Sequence, residues 1–454
     1  MKRISQLIAS LLFLCQGVFA QEYLTLSQCR EMALEQNKQL AASVQQIEYA
    51  RHTASSYKAN FFPDFKLNGT GLYSTSKGNF PIQGGNLPVF VPGANGAPTP
   101  NGGFAYFPGV DLNYKVGWAY MGGVSVQQPL YMGGKIRSAY KIANLGKEMA
   151  FLNKTLTETE VLMSTDRAYA MLIKAQEMQK VTQAYYKTLE ELMKNVESAF
   201  RHGLKLRNDV LKVQVKLNEA EINKRKAENA LRLASMNLCH YIGKPLTSTL
   251  TVSDEYPSVE LSKKLNTHDI SSRPEYNILN KQVEINRQQV KLTRSEMLPQ
   301  IGVQGSYNYI NGLDVNGQKF LDGGSFTALL NVSIPLFHFG ERKHKVNAAK
   351  AKLQQSLLEQ ADKNELMLLE VTQAANNLEE AKLECDLADI SLEQAEENQR
   401  VSAEQFKQGL ETLSDHLEAQ TLWQQAWQAK VDAHFQLYLE WIAYQKASGT
   451  LQVK

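Results

Sequence analysis

Two periods divide this chain. Residues 135–200 and 341–407 carry apolar residues at spacings of three and four, with Glu, Lys, Gln and Asn elsewhere; Leu353, Leu357, Ala361, Leu366, Leu369, Ala374, Leu378 and Ala381 trace one such stripe. Neither segment contains proline. The pattern predicts two helices of about 65 residues, roughly 100 Å long at 1.5 Å per residue. The alanines in the stripes suit close helix packing. Shorter helices are predicted after Gly203 and Gly409, running to about Tyr241 and Ala447, and over residues 27–60 and 274–297. Between the helices, four runs alternate with period two. In the first, Phe65, Leu67, Gly69, Gly71 and Tyr73 alternate with Lys66, Asn68, Thr70, Leu72 and Ser74. Runs from Trp118 to Gln127, from Ile301 to Tyr309 and from Phe326 to Ile334 follow the same rule. One face is apolar with aromatics, and the other is small and polar with few charges.

The phrases that join these segments occur twice. QPLYMGGK at 128–135 aligns with SIPLFHFGERK at 333–343, with Pro129 on Pro335 and Gly134 on Gly340. AFRHGLKLRNDVL at 199–211 aligns with QFKQGLETLSDHL at 405–417, with Gly203 on Gly409 and Asp209 on Asp415. Both pairs obey one shift of 206 residues, as Pro129 to Pro335 measures it, so the chain is internally duplicated. A third pair, FFPDFKLNG at 61–69 and MLPQIGVQG at 297–305, places Pro63 on Pro299. The first half is longer because residues 78–109 are rich in Gly and Pro; 74–115 is expected to be a long loop, and 311–324 its shorter counterpart.

Proline cannot donate to a strand ladder, so Pro129 and Pro335 are expected to end strands, and Gly134 and Gly340 to let the chain turn into a long helix. Pro63 and Pro299 are expected to do the reverse, ending a helix and admitting a strand. The alternating runs are about 9–11 residues, the length of a tilted transmembrane strand. The other reading of such runs is half-buried strands of a soluble sandwich. The small, polar second face and the N-terminus together favour a membrane barrel with a wet lumen: MKRISQLIASLLFLCQGVFAQE reads as a secretory signal, with cleavage expected after Ala20. Cys15 is not expected to be lipidated, because Leu14 before it is too large. Beyond the signal no run of 18 or more apolar residues follows, which leaves two alternatives for an exported chain: a soluble protein, or one that crosses a membrane as strands. Four strands cannot close a barrel, so if the strands span the membrane the chain must oligomerise.

The expected architecture is therefore α+β, mainly long α-helices, internally duplicated, with four β-strands per protomer. Its divisions are a signal peptide (1–20), a first repeat (21–254), a linker (255–272) and a second repeat (273–450). Duplicated halves, prolines at the helix–strand joints, and FxxGL followed by Asp resemble the TolC-type outer-membrane efflux proteins, over nearly all of the mature chain. The resemblance implies a trimer whose strands form one 12-stranded outer-membrane barrel, continued by a periplasmic α-helical barrel. It implies an exit duct for drugs or secreted proteins, opened by a periplasmic adaptor and an inner-membrane pump of the RND or ABC type. It places adaptor docking at the hairpin tips, His202, Gly203 and Leu204 with Gln408, Gly409 and Leu410. Residues 244–262 resemble the family's equatorial segment. Acidic residues after the tips are expected to narrow the periplasmic entrance: Asp415 and Glu418, which share one helix face at i and i+3, and Asp209. Ordinary helix chemistry also accounts for them, since Thr412 can cap and Asp415 suits the positive end of a helix. Glu411 stands where some members carry an arginine, so a reversed pairing with Lys205 or Arg207 is expected.

Net charge is only +3, which gives no case for nucleic acid. The mature cysteines Cys29, Cys239 and Cys385 are odd in number and widely spaced, with neither a disulfide framework nor a CxxC metal knuckle. No GxSxG, HExxH, Walker-type or GxGxxG motif is present, and His338 with His344 is not a ligand spacing. No enzyme activity, metal or cofactor is expected. The competing reading is a periplasmic coiled-coil structural or adaptor protein.

Overall fold

A computed structural model describes residues 22–248, 250–252, 256–257, 259 and 269–451. The signal peptide, Cys15 and most of the linker expected at 255–272 lie outside the described residues. In chain order the elements are β1 (Glu22–Leu24), α1 (Leu26–Gln36), α2 (Lys38–Ala59), β2 (Asp64–Tyr73), β3 (Lys77–Ile82), β4 (Gly85–Pro92), β5 (Pro98–Phe107), β6 (Val110–Met132), α3 (Lys135–Arg201), α4 (Arg207–Ile242), β7 (Leu250–Val252), α5 (Pro274–Arg294), β8 (Gln300–Val315), β9 (Gln318–Ser333), α6 (Glu341–Lys407) and α7 (Leu413–Ala447). The two long helices expected from periodicity, α3 and α6, are each 67 residues. No described helix is long and apolar enough to cross a membrane.

The chain forms two compact units, each drawing on both repeats. One is mainly helical and takes its described residues from within 22–51, 145–284 and 354–451. Its core is a series of local clusters. Leu172, Ile173, Leu238 and Ile242 pack α3 on α4, with β1 and β7 adding Leu24, Leu250 and Val252. Tyr185, Leu189 and Val196 of α3 meet Val210 and Val213 of α4 and Leu413 and Leu417 of α7. Leu378, Ala381 and Cys385 of α6 meet Leu437 of α7. The small residues let helix axes approach, and each cluster buries one stripe while the opposite face stays charged. A buried ion pair ties α1 to α3: Arg30 Nε and Nη2 donate to Asp166 at 2.8 and 2.5 Å, and the Asp166 side chain is fully buried. The opening helix is broken between α1 and α2, where Asn37 is extended and its side-chain oxygen accepts from the Gln39 and Leu40 amides. Asparagine competes with the helix through that bond.

The second unit, His52–Asn144 with Ile285–Leu353, holds the sheet. Its main path is β2-β6-β8-β9, all antiparallel, and β3 pairs with the outer part of β6. The register carries the alternation across all four strands. Leu67, Val124, Tyr307 and Phe326 form one row, flanked by the row Lys66, Ser125, Ser306, Thr327. Since successive side chains point to opposite faces, apolar and polar rows separate onto two faces.

The stretches expected to be loops are largely strand. Within 74–115, β3 lengthens the ladder and β4 pairs with β5 in a separate hairpin. Residues 311–324 belong to β8 and β9, joined by the two-residue turn Asn316-Gly317, whose φ values are +54° and +81°. Asn-Gly is the preferred pair for such a turn, because both central residues need positive φ. Pro129 does not end β6. It sits at a break in register, Pro129 opposite Gly302 and Tyr131 opposite Ile301, where its missing N–H costs no ladder bond. Pro335 does follow the end of β9, and Pro63 and Pro299 each precede a strand by one residue. The turns into α3 and α6 match residue for residue: Gly133 and Gly134 have φ +62° and +84°, Phe339 and Gly340 +42° and +81°.

Candidate functional site

The tips are built by local hydrogen bonds that the repeat duplicates. At the first, Gly203 has φ +74°; its N–H donates to Phe200 O at 2.9 Å, and the Leu204 N–H donates to Ala199 O at 2.9 Å. At the second, Gly409 has φ +73°; its N–H donates to Phe406 O at 3.1 Å and Leu410 N–H to Gln405 O at 2.9 Å. This is a left-handed glycine cap that satisfies the last carbonyls of a helix. His202 and Gln408 are the residues just before each glycine, and Leu204 and Leu410, just after, are about three-quarters exposed, at 77% and 75%. Two apolar side chains held in solvent at equivalent turns are a feature that fold stability does not require.

Both acids after the glycines are the third residue of a return helix. Asp209 Oδ2 accepts from the Leu206 amide at 3.2 Å. Asp415 Oδ2 accepts from the Thr412 hydroxyl at 2.8 Å, while that oxygen accepts from the Asp415 amide at 3.2 Å. Each carboxylate thus sits at the positive end of its helix; Asp415 is exposed and Asp209 half-buried. Glu418 is exposed one turn on and lines a groove of 600 Å³ between α4 and α7. Lys212 and Lys216 line the same groove, and Lys212 Nζ donates to Ser414 Oγ at 3.1 Å. Glu418 therefore shares its groove with two ammonium groups of the same protomer, which the sequence pattern had not indicated.

Glu411 has a different partner from the one expected. It accepts from Ser402 Oγ at 2.7 Å. Lys205 instead lies over the Phe406 ring at 4.9 Å, and Arg207 over Phe200 at 6.0 Å. A hydroxyl about two helix turns back from the tip outcompetes a long, solvated cation across it. Ser402 also bonds His416 Nδ1 at 2.9 Å, and His416 Nε2 lies 2.8 Å from Gln420 Nε2. The bonds define one neutral tautomer, in which Nδ1–H donates to Ser402 and Nε2 accepts from Gln420. His416 is 5% exposed, and burial holds its pKa below the ordinary value, against the opposing charge of Glu411. Sequence reasoning missed this histidine; its one signal was its place beside Asp415.

A family description, outer membrane efflux protein, matches residues 29–244 and 270–450. The chain belongs to the outer membrane efflux protein family. As an outer membrane efflux protein it is a transport protein and not an enzyme. The fold of this efflux protein is also that of solved channels. The Campylobacter jejuni CmeC outer membrane channel is 18% identical, with TM-score 0.75, covering 94% of this chain and 86% of that one. The Vibrio cholerae outer membrane protein VceC is 16% identical, with TM-score 0.74, covering 93% and 96%. The open state of the Neisseria gonorrhoeae MtrE outer membrane channel is 19% identical, with TM-score 0.74, covering 93% and 88%. A search of curated protein sequences finds no match to this efflux protein.

Proposed function

We propose that three copies of this efflux protein form one passive exit duct through the outer membrane and periplasm, opened by a periplasmic adaptor and an inner-membrane pump. The observation that carries the reading is the open sheet with separated faces. The apolar row Leu67, Val124, Tyr307, Phe326 suits lipid, and the polar row beside it suits a wet lumen. The edges β2 and β9 have no partner along the main path within one protomer. Unpaired edges are not tolerated in hydrocarbon, so β9 of one copy pairs with β2 of the next. Three copies then contribute twelve strands, wide enough for an open channel, where two copies make a barrel filled by side chains.

The long helices α3 and α6 of three copies form the periplasmic part of the duct. The tips His202-Gly203-Leu204 and Gln408-Gly409-Leu410 dock the adaptor through the two exposed leucines. Asp415 and Glu418, with Asp209, line the periplasmic entrance and bias it toward cations. Pro63, Pro129, Gly134, Pro299, Pro335 and Gly340 mark the joints between barrel and helices. Cargo is small molecules such as drugs, or secreted proteins, selected by an RND-type or ABC-type pump rather than by the duct. The domain plan is the two repeats 21–254 and 273–450 about the equatorial linker 255–272.

Negative-stain electron microscopy of the mature protein purified in detergent tests the reading. The expected particle is a three-fold cylinder on the order of 100 Å or longer, as the α3 and α6 lengths imply, with stain along its axis. Compact monomers or solid rods overturn it and return the chain to a coiled-coil scaffold.

A further inference from the structure

Away from the tips, three side chains with metal-binding atoms converge where α6 packs on α7. Cys385 and Asp389 are one turn apart on α6, and His434 reaches them from α7. One ligand atom from each lies within 4.8 Å of the other two. His434 Nε2 is 3.1 Å from Asp389 Oδ1 and 3.3 Å from Oδ2. Cys385 is buried at 3% exposure against Leu378, Ala381 and Leu437, so its sulfur has apolar neighbours on the far side. The Tyr256 ring stacks on the imidazole, with centroids 6.5 Å apart and planes at 24°. Lys430 Nζ lies 3.0 Å from Asp389 Oδ1, so a cation already belongs beside this carboxylate.

We propose that Cys385, Asp389 and His434 bind a transition-metal ion of the Zn2+ class that clamps α6 to α7. Zinc takes thiolate, imidazole and carboxylate ligands at about 2.0–2.3 Å, which sets two ligands of one tetrahedral ion about 3.3–3.8 Å apart. Side-chain shifts of about 1 Å close the present cluster to that geometry. Cysteine and aspartate at i and i+4 share a helix face, so neither backbone has to move. The donor set selects the ion. Magnesium and calcium take oxygen ligands, so a thiolate and an imidazole exclude them. A thiolate alone also suits Cu(I), and the carboxylate moves the preference to Zn2+. One thiolate and one carboxylate neutralise a divalent ion, which suits a site with a buried sulfur. Lys430 is 40% exposed and turns to solvent when the ion takes over Asp389. A site with three protein ligands leaves a fourth position for water. The plainer alternative is an ion network of His434, Asp389 and Lys430 with Cys385 as a small core residue; it does not use the sulfur, and that separates the two.

The test is titration of the full mature protein in detergent with Co2+, then Zn2+. The expected result is one Co2+ per chain, with visible bands of tetrahedral cobalt and a near-ultraviolet thiolate-to-cobalt band, both bleached by Zn2+. Cys385→Ser abolishes the thiolate band and weakens binding at least about a hundredfold, more than loss of a supporting bond costs. His434→Gln weakens binding similarly, and Cys29→Ser changes nothing. No thiolate band in the unmodified protein, or a band that survives Cys385→Ser or vanishes in Cys29→Ser, overturns the proposal. The unmodified protein and His434→Gln decide the matter if Cys385→Ser does not assemble.

Discussion

The imidazole of His416 lies flat on the ring of Phe406, with centroids 4.7 Å apart and planes 3° from parallel. Phe406 is three residues before the tip glycine and His416 is in the first turns of α7, so the contact closes the second hairpin just behind its tip. Ser402, Glu411 and Gln420 complete the polar side of the same contact. The tip is therefore held by a neutral histidine with a lowered pKa.

That arrangement sets a pH dependence. The unfolded chain takes up a proton near pH 6.5, while the folded His416 resists it to lower pH. Stability from this group is present in full above about pH 6.5 and is lost as pH falls toward the folded value. Thermal denaturation of the purified protein is expected to fall over that window, and His416→Leu to remove this part of the fall. An unchanged slope in the variant counts against the assignment.

Asp415 and Glu418 separate stability from conduction. Asp415→Asn keeps the Thr412 cap and is expected to cost under about 1 kcal/mol, the worth of a charge at an exposed helix end. In planar bilayers, Asp415→Asn with Glu418→Gln is expected to lower cation preference. Unchanged reversal potentials in a salt gradient remove both residues from the entrance.

Gly203 and Gly409 have no atom within 4 Å of where a Cβ would stand. Substitution there meets open space, and the cost is the left-handed backbone alone. Alanine at either site is expected to cost about 1–2 kcal/mol, and asparagine less. Denaturation midpoints of the two alanine variants check this; a loss several times larger shows that the turns carry contacts beyond the protomer.

Arg30 and Asp166 contrast with Lys382 and Asp386. The first pair is bidentate with a fully buried carboxylate; the second, 2.5 Å long, is half exposed. Asp166→Ala leaves a largely buried guanidinium uncompensated and is expected to cost about 3–5 kcal/mol. Lys382→Ala is expected to cost no more than about 0.5 kcal/mol. Urea unfolding of the two variants side by side tests the difference.

Most of the architecture was legible because it is written locally. The lengths of α3 and α6 followed from unbroken periodicity, and the two tips from a glycine after FxxG spacing. The four alternating strands followed from their period of two, and their pairing kept apolar and polar rows apart as expected. Less local signals misled. The Gly- and Pro-rich segment at 78–109 suggested loop, but its aromatic and β-branched residues pair as strands, β3 on β6 and β4 with β5. Asn316-Gly317 was a readable hairpin turn inside a stretch taken for loop, and Asn37 a readable cap inside a stretch taken for one helix.

By itself the sequence determined the period of each segment, the turns between them and the duplication, since each depends on residues within a few positions of one another. Only the tertiary structure decided which faces of the long helices meet. The rotation of a 67-residue helix about its axis depends on every packed layer along it, so no short window specifies it. That rotation brings His416 onto Phe406, Asp166 under Arg30, and His434 beside Cys385 and Asp389. It also gives Glu411 a serine for its partner in place of the cations across the tip.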